Sequence, residues 1–171
     1  MSSKYWNNKC NDAVNYQISL EFKASYHYHY LFSYFDNDSI GLKNIAKFFN
    51  KCSLEERDHA HKFIEYQNKR GGCVNLFNIE APNINLSKEN DVLDAFSIAY
   101  QLEEEVYNNL LKLHRIADEV NDPQFADFIE SEYLEEQIQA MNEIRILISQ
   151  LERIGNDGHG VWNFDNSFEV E

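Results

Sequence analysis

The chain of 171 residues has few of the residues that interrupt regular structure. It contains two prolines and six glycines, and they form no flexible segment, which favours long helices over a β architecture with many turns. Its three cysteines include no CxxC pair, so the sequence indicates neither a zinc knuckle nor a disulfide framework. No apolar run approaches membrane-spanning length, and the first residues lack the features of a signal or transit peptide. We therefore expect a cytoplasmic protein that does not enter a membrane.

Basic residues are also scarce. The chain has 15 Lys and Arg against 29 Asp and Glu, a formal net charge of -14. This excess of acidic residues argues against nucleic-acid binding, which requires clustered cationic side chains, and favours the binding of cations instead. Most acidic surfaces are only solvated, however, so the charge alone does not identify a metal site. With 43% hydrophobic residues, the chain has the size of one domain, which we assign to residues 1–171.

Apolar residues recur at spacings of three and four in four segments, a pattern typical of helices packed in a bundle. We predict helices over approximately 10–36, 42–70, 91–120 and 123–154, with a short fifth helix over 160–168. Asp122 and Pro123 are expected to begin the fourth helix as N-cap and first helical residue. The segment between the second and third helices is too long for a hairpin. The fold class is therefore an all-α four-helix bundle with one long crossover connection.

Each apolar stripe is interrupted by a polar residue near the middle of its helix. These residues are Glu21 in the first helix, Glu56 and His59 in the second, Glu103 in the third and Gln137 in the fourth. An uncompensated buried carboxylate costs several kcal/mol, so buried glutamates must be paired or bound to metal. No Lys or Arg lies in the stripes at this level. The five side chains are therefore predicted to form one cation site.

The predicted ligands favour a particular class of metal. Carboxylate oxygens with one imidazole suit iron or manganese better than zinc or copper sites that use thiolates. Glu56 and His59 are three residues apart, which places both side chains on one helix face, as in carboxylate-bridged di-iron sites. Tyr28 lies one heptad after Glu21 and is either plain core or a phenol beside the metal. Alternatively, each polar residue taken singly is an ordinary edge or core residue with its own hydrogen bonds.

Four segments closely resemble eukaryotic ferritins, specifically their catalytic, heavy-chain-type subunit. They are SLEFKASYHYHYLFSYFD, EERDHAHKFIEYQNKRGG, ADFIESEYLEEQ and GHGVWNFD, and the run NDPQFADFIE is especially specific. The resemblance implies a ferritin-like bundle in which Glu21, Glu56 and His59 bind one iron. Glu56 would bridge to a second iron held by Glu103, with Gln137 and Tyr28 in supporting positions.

The same resemblance implies the activity and the assembly. The chain would oxidise Fe(II) with dioxygen as a ferroxidase at an intra-subunit di-iron site. It would mineralise ferric oxyhydroxide inside a cage of 24 subunits, alone or together with other ferritin subunits. Two sets of residues match further sites of the family: Asp127, Glu130 and His114 for an iron-entry channel, and Glu55, Asp58 and His61 for nucleation in the cavity. His61 stands where an acid is expected, and the end of the chain is more acidic than the usual fifth helix.

Two alternatives remain at this level. The first is a non-catalytic storage or scaffold subunit that assembles and mineralises without rapid oxidation. The second is a helical bundle that binds partners through its acidic surface and holds no metal.

Overall fold

The computed structural model describes residues 6–155 and 157–168, and all regular structure within them is helical. None of these helices is both long and apolar enough to cross a membrane. The helices are α1 (Asn8–Asp36), α2 (Lys43–Lys69), α3 (Asp91–Glu119), α4 (Pro123–Ile129), α5 (Glu135–Ile154) and α6 (Gly158–Ser167). A π-helical turn, Glu130–Leu134, joins α4 to α5 as one long fourth helix. The predicted fold class, a four-helix bundle with one crossover and a short last helix, is confirmed.

Side-chain contacts fix the directions of the helices. Tyr34 near the end of α1 donates to Asp91 at the start of α3, and Lys9 near the start of α1 pairs with Glu119 at the end of α3. Helices α1 and α3 are therefore antiparallel. Ser25 donates to the carbonyl of Ser53, while residues earlier in α1 contact later residues of α2, so α1 and α2 are antiparallel as well. Helices α2 and α3 consequently run parallel, as the irregular crossover 70–90 allows.

Large apolar side chains fill the centre of the bundle. Tyr28 and Phe35 from α1, Phe49 and Phe63 from α2, and Phe96 from α3 are fully buried. Phe49 stacks on Phe35 with ring centroids 5.7 Å apart and lies 5.1 Å from Phe96. Burying each such side chain contributes about 1.5–3 kcal/mol. This packing holds three helices at fixed spacing around the polar residues.

The fourth helix begins as predicted but contains an irregularity that the sequence did not reveal. Asp122 accepts from the backbone N–H of Phe125 at 3.0 Å, and Pro123 is the first helical residue. The π-helical turn then shifts the side chains relative to a regular repeat. Tyr133 is buried at this turn, whereas the next residue, Leu134, is only partly buried.

The C-terminal helix α6 is attached to the start of α2. The buried carboxylate of Asp165 accepts from the backbone N–H groups of Asn44 at 3.0 Å and Ile45 at 2.9 Å. Helix α2 has no side-chain cap of its own, so Asp165 provides it from a distant part of the chain. Phe168 then packs on Phe48, with ring centroids 5.6 Å apart. The acidic residues at 169 and 171 lie outside the described residues.

Candidate metal site

The polar residues that interrupt the four stripes lie together in the middle of the bundle. Glu21, Glu56, His59, Glu103 and Gln137 are all buried, with exposures between 0% and 8%. They come from α1, α2, α3 and α5, so every long helix contributes at least one side chain. A buried polar layer of this kind requires internal partners. The arrangement of these partners separates the residues into two groups.

The first group can surround a single cation. One ligand atom from each of Glu21, Glu56 and His59 lies within 4.8 Å of the other two. Glu21 Oε2 is buried and has no hydrogen-bond donor directed at it. The neighbouring side chain of Glu56 is also a carboxyl group, so it can hydrogen-bond to Glu21 only when one of the two groups is protonated. No Lys or Arg among the described residues forms an ion pair with these carboxylates, so a cation would satisfy an otherwise costly arrangement.

The second group is centred on Glu103. One of its carboxylate oxygens accepts from the hydroxyl of Tyr28, and the other accepts from the side-chain amide of Gln137. Gln137 also donates to the backbone carbonyl of Glu103 at 3.1 Å. Both predicted supporting residues therefore contact Glu103, while Glu103 is not part of the close cluster of three.

Burial controls the protonation of these side chains. The pKa of Glu21 is raised well above its ordinary value, first by desolvation and then by the neighbouring Glu56 carboxylate. The pKa of Glu56 is raised by desolvation and by Glu103. Desolvation raises the pKa of Glu103 too, although its bonds to Tyr28 and Gln137 oppose the effect. Carboxyl groups that resist ionisation when buried alone become good ligands once a cation is present.

A cavity of about 250 Å³ adjoins the site between α2 and α5. It reaches Glu56, His59, Glu103 and Gln137, and its other charged lining residues are three acids and one base, Lys51. The acidic side chains are Glu55, Glu136 and Glu143. These residues make a polar path from the buried cluster to the surface of the bundle.

Sequence reasoning missed Glu136. His59 Nε2 lies 3.1 Å from Glu136 Oε1, and the Glu136 side chain is 52% exposed, at the mouth of the cavity. Partial burial raises the pKa of Glu55 at the same mouth. Glu136 is adjacent in sequence to the predicted Gln137, but adjacent residues on a helix point in different directions. Only the approach of α5 to α2 reveals the contact with His59.

The residues predicted for the entry channel lie near one another at the junction of α3 with the fourth helix. His114 Nε2 is 2.5 Å from Glu130 Oε1, and His114 Nδ1 is 3.4 Å from Asp118. Asp127 is exposed one turn before Glu130, where its backbone carbonyl accepts from Ser131. An acidic, histidine-containing surface is present, while a channel would require other subunits.

The three predicted nucleation residues follow one another at intervals of three along α2 and have different neighbours. Glu55 lines the cavity beside the buried site. Asp58 is exposed next to Arg57, at 4.0 Å. His61 lies edge-on to Phe22, with ring centroids 6.2 Å apart. Among the described residues, the close group of potential metal ligands does not include these three, and their role in nucleation stays a prediction.

A buried set of carboxylates and one histidine in a four-helix bundle has the composition of a carboxylate-bridged metal protein. The Ferritin-like domain model of the Ferritin family matches residues 11–154. Similar proteins include Ferritin-2, chloroplastic, of Zea mays, which is 51% identical over 158 residues covering 91% of this chain and 63% of the relative. Ferritin-1, chloroplastic, of Brassica napus is 50% identical, covering 90% of this chain and 61% of the relative. The chain belongs to the ferritin family, a family of iron-storage proteins.

The relatives also bear on the location of the protein. A third relative, Ferritin-3, chloroplastic, of Glycine max, is 46% identical over 96% of this chain and 65% of its own length. All three are named as chloroplastic proteins, so the expectation of a cytoplasmic protein is wrong. That expectation came from a missing targeting pattern, and such an absence cannot locate a protein. The chain spans 61% to 65% of the length of these relatives.

Proposed function

We propose that the chain is a ferroxidase-active subunit of an iron store, which oxidises Fe(II) with dioxygen and deposits the ferric product. The observation that carries this proposal is the convergence of Glu21, Glu56 and His59 around a buried point, with Glu21 Oε2 lacking any donor. Oxygen ligands with one imidazole favour iron or manganese, and the family's role in iron storage favours iron.

Two iron ions would bind to this layer in order. The first would bind Glu21, Glu56 and His59, whose ligand atoms already lie close together. The second would bind Glu103, with Glu56 as the bridge and Gln137 nearby. Since Tyr28 and Gln137 each donate to one oxygen of Glu103, the second ion must bind through the lone pairs that these two hydrogen bonds leave free. We therefore expect the second site to fill at a higher Fe(II) concentration than the first.

The residues would promote oxidation through charge. Two Fe(II) ions each give one electron to dioxygen, which takes up two protons and leaves as hydrogen peroxide, while water bound by the ferric product supplies the protons. The product ions carry more positive charge than the substrate ions. Anionic carboxylates in a desolvated site stabilise that additional charge, which favours the ferric state. The hydroxyl of Tyr28 holds the Glu103 carboxylate in place before the second iron ion binds. Glu136 orients the imidazole of His59 through the contact with His59 Nε2. The acidic cavity between α2 and α5 offers the ferric product a path away from the site.

The assembly is proposed on the basis of family membership. We propose a cage of 24 subunits, with Fe(II) entering past Asp127, Glu130 and His114 and mineral growing near Glu55, Asp58 and His61. The closeness of His114 to Glu130, at 2.5 Å, supports a shared cation site at the entrance. Light scattering of the purified protein tests the cage, because a stable monomer would contradict it.

The test of the ferroxidase function is the initial rate of aerobic Fe(II) oxidation, followed by near-ultraviolet absorbance of the ferric product. Glu56→Gln and His59→Gln should each reduce this rate about tenfold or more, because each removes a ligand. Glu65→Gln is the matched control: it changes an exposed glutamate on the same helix and should leave the rate unchanged. If both ligand variants retain the wild-type rate while the protein still stores iron, the non-catalytic storage subunit is the correct interpretation.

A further inference from the structure

A row of two buried amide side chains leads from α3 to Glu21 on α1. Gln17 lies one turn before Glu21 on α1 and is completely buried, and Asn109 on α3 is 6% exposed. Asn109 Nδ2 donates to Gln17 Oε1 at 2.5 Å, and Gln17 Nε2 donates to Glu21 Oε1 at 2.6 Å. The row thus connects α3 to the candidate metal site through two hydrogen bonds.

The chemistry of the three groups fixes the direction of these bonds. A carboxylate only accepts hydrogen bonds, so Gln17 must turn its NH₂ group towards Glu21. Its carbonyl oxygen then faces Asn109, which must donate. Without Asn109, the Gln17 amide would lose the partner that selects this orientation and would leave a buried acceptor without a donor. Asn109 therefore determines which end of Gln17 meets Glu21.

The consequence for Glu21 is that its two oxygens differ. Oε1 is held by Gln17, while Oε2 is buried without a donor. A carboxylate fixed through one oxygen presents the other in a single direction, which is the arrangement that a metal ligand requires. We propose that Gln17 and Asn109 are positioning residues that orient Glu21 for the first cation, with Asn109 acting through Gln17. This inference rests on the proposed function, since it concerns the same site.

The test is a double-mutant cycle with Co²⁺ as the probe, measured on the iron-free protein by the visible absorbance of bound Co²⁺. Gln17→Met and Asn109→Leu should each weaken binding at the first site by about tenfold, the low end of the effect of residues that orient a ligand. The double variant should bind no more weakly than Gln17→Met alone, because Asn109 acts through Gln17. Additive losses would overturn the proposed connection.

Asn15→Leu is the matched control. Asn15 is also a buried amide on α1, but its hydrogen bonds are to other residues than Gln17 and Glu21: it donates to the carbonyl of Cys73 and accepts from Gln67. It should lower the melting temperature and leave Co²⁺ affinity unchanged. An equal loss of affinity in this variant would mean that any buried amide on α1 has the same effect, which would overturn the inference.

Failure of the proposed function gives a different result. If Glu56→Gln does not weaken Co²⁺ binding to the otherwise wild-type protein, the proposed site itself is wrong. If Glu56→Gln does weaken it but Gln17→Met and Asn109→Leu bind as tightly as the wild type, only the positioning role is wrong. Should Gln17→Met fail to fold, Asn109→Leu with its Asn15→Leu control still decides the outcome.

Discussion

Replacing Glu21 by Gln should stabilise the metal-free protein while abolishing metal binding at the first site. Glu21 is 0% exposed, and its Oε2 atom has no donor. A buried polar group without a partner costs roughly 1–3 kcal/mol. In Glu21→Gln, the new amide would keep the bond from Gln17 to its oxygen and would donate through its NH₂ group to Glu56. The free energy of unfolding should therefore rise by about 1–3 kcal/mol at pH 7.

The gain should depend on pH in a defined direction. Burial raises the folded-state pKa of Glu21 above its ordinary value of 4.5, so the folded wild type holds this proton longer than the unfolded chain does. Below the unfolded pKa, Glu21 is neutral in both states and the variant has little advantage. As the pH rises from 4 to 7, ionisation favours the unfolded wild type, and the advantage of the variant should grow.

Thermal unfolding of metal-free samples measures this effect. For a chain of this size, about 1 kcal/mol corresponds to roughly 2–4 °C in the melting temperature. Adding Co²⁺ should raise the melting temperature of the wild type and leave that of Glu21→Gln unchanged, because only the wild type binds the ion at this site. Glu65→Gln, on the exposed face of α2, is the control. A variant that melts below the wild type without metal would refute the argument that Glu21 is destabilising until a cation binds.

Three further changes test other parts of the structure. Tyr28→Phe removes the hydroxyl that holds Glu103 and should slow Fe(II) oxidation several-fold in stopped-flow measurements while the first Co²⁺ binds normally. Asp165→Ala removes the cap of α2 and should lower the unfolding free energy by about 1 kcal/mol without changing the initial oxidation rate; a lost rate would mean that the cap also shapes the site. Glu136→Gln should leave the unfolding free energy nearly unchanged, since the Glu136 side chain is half exposed, and should slow Fe(II) oxidation, because it weakens the contact that orients His59; an unchanged rate would contradict that role.

The helices and the layer of polar residues were predictable because both follow from spacing along one helix at a time. Each of Glu21, Glu56, His59, Glu103 and Gln137 occupies a core position of its own stripe, and burial of all five is observed. The apolar stripes predicted this layer because side chains three or four residues apart lie on the same face of a regular helix.

The features that were missed depend on contacts between helices or on departures from regular spacing. The π-helical turn moves Tyr133 into the core, where its hydroxyl donates to the carbonyl of His59 at 3.1 Å. Glu136 reaches His59 only because α5 approaches α2. Asn109 is one of two adjacent asparagines, and its role depends on the position of Gln17 across the bundle. No pattern within a single segment contains these relations.

The contact between Asp165 and the start of α2 has a consequence for the order in which the chain folds. Asp165 follows Asn44 and Ile45 by 121 and 120 residues. During synthesis, the first turn of α2 must wait for 120 further residues before its free N–H groups receive this carboxylate. We therefore expect the start of α2, the helix that carries Glu56 and His59, to stay frayed until α6 has been synthesised and docks against it.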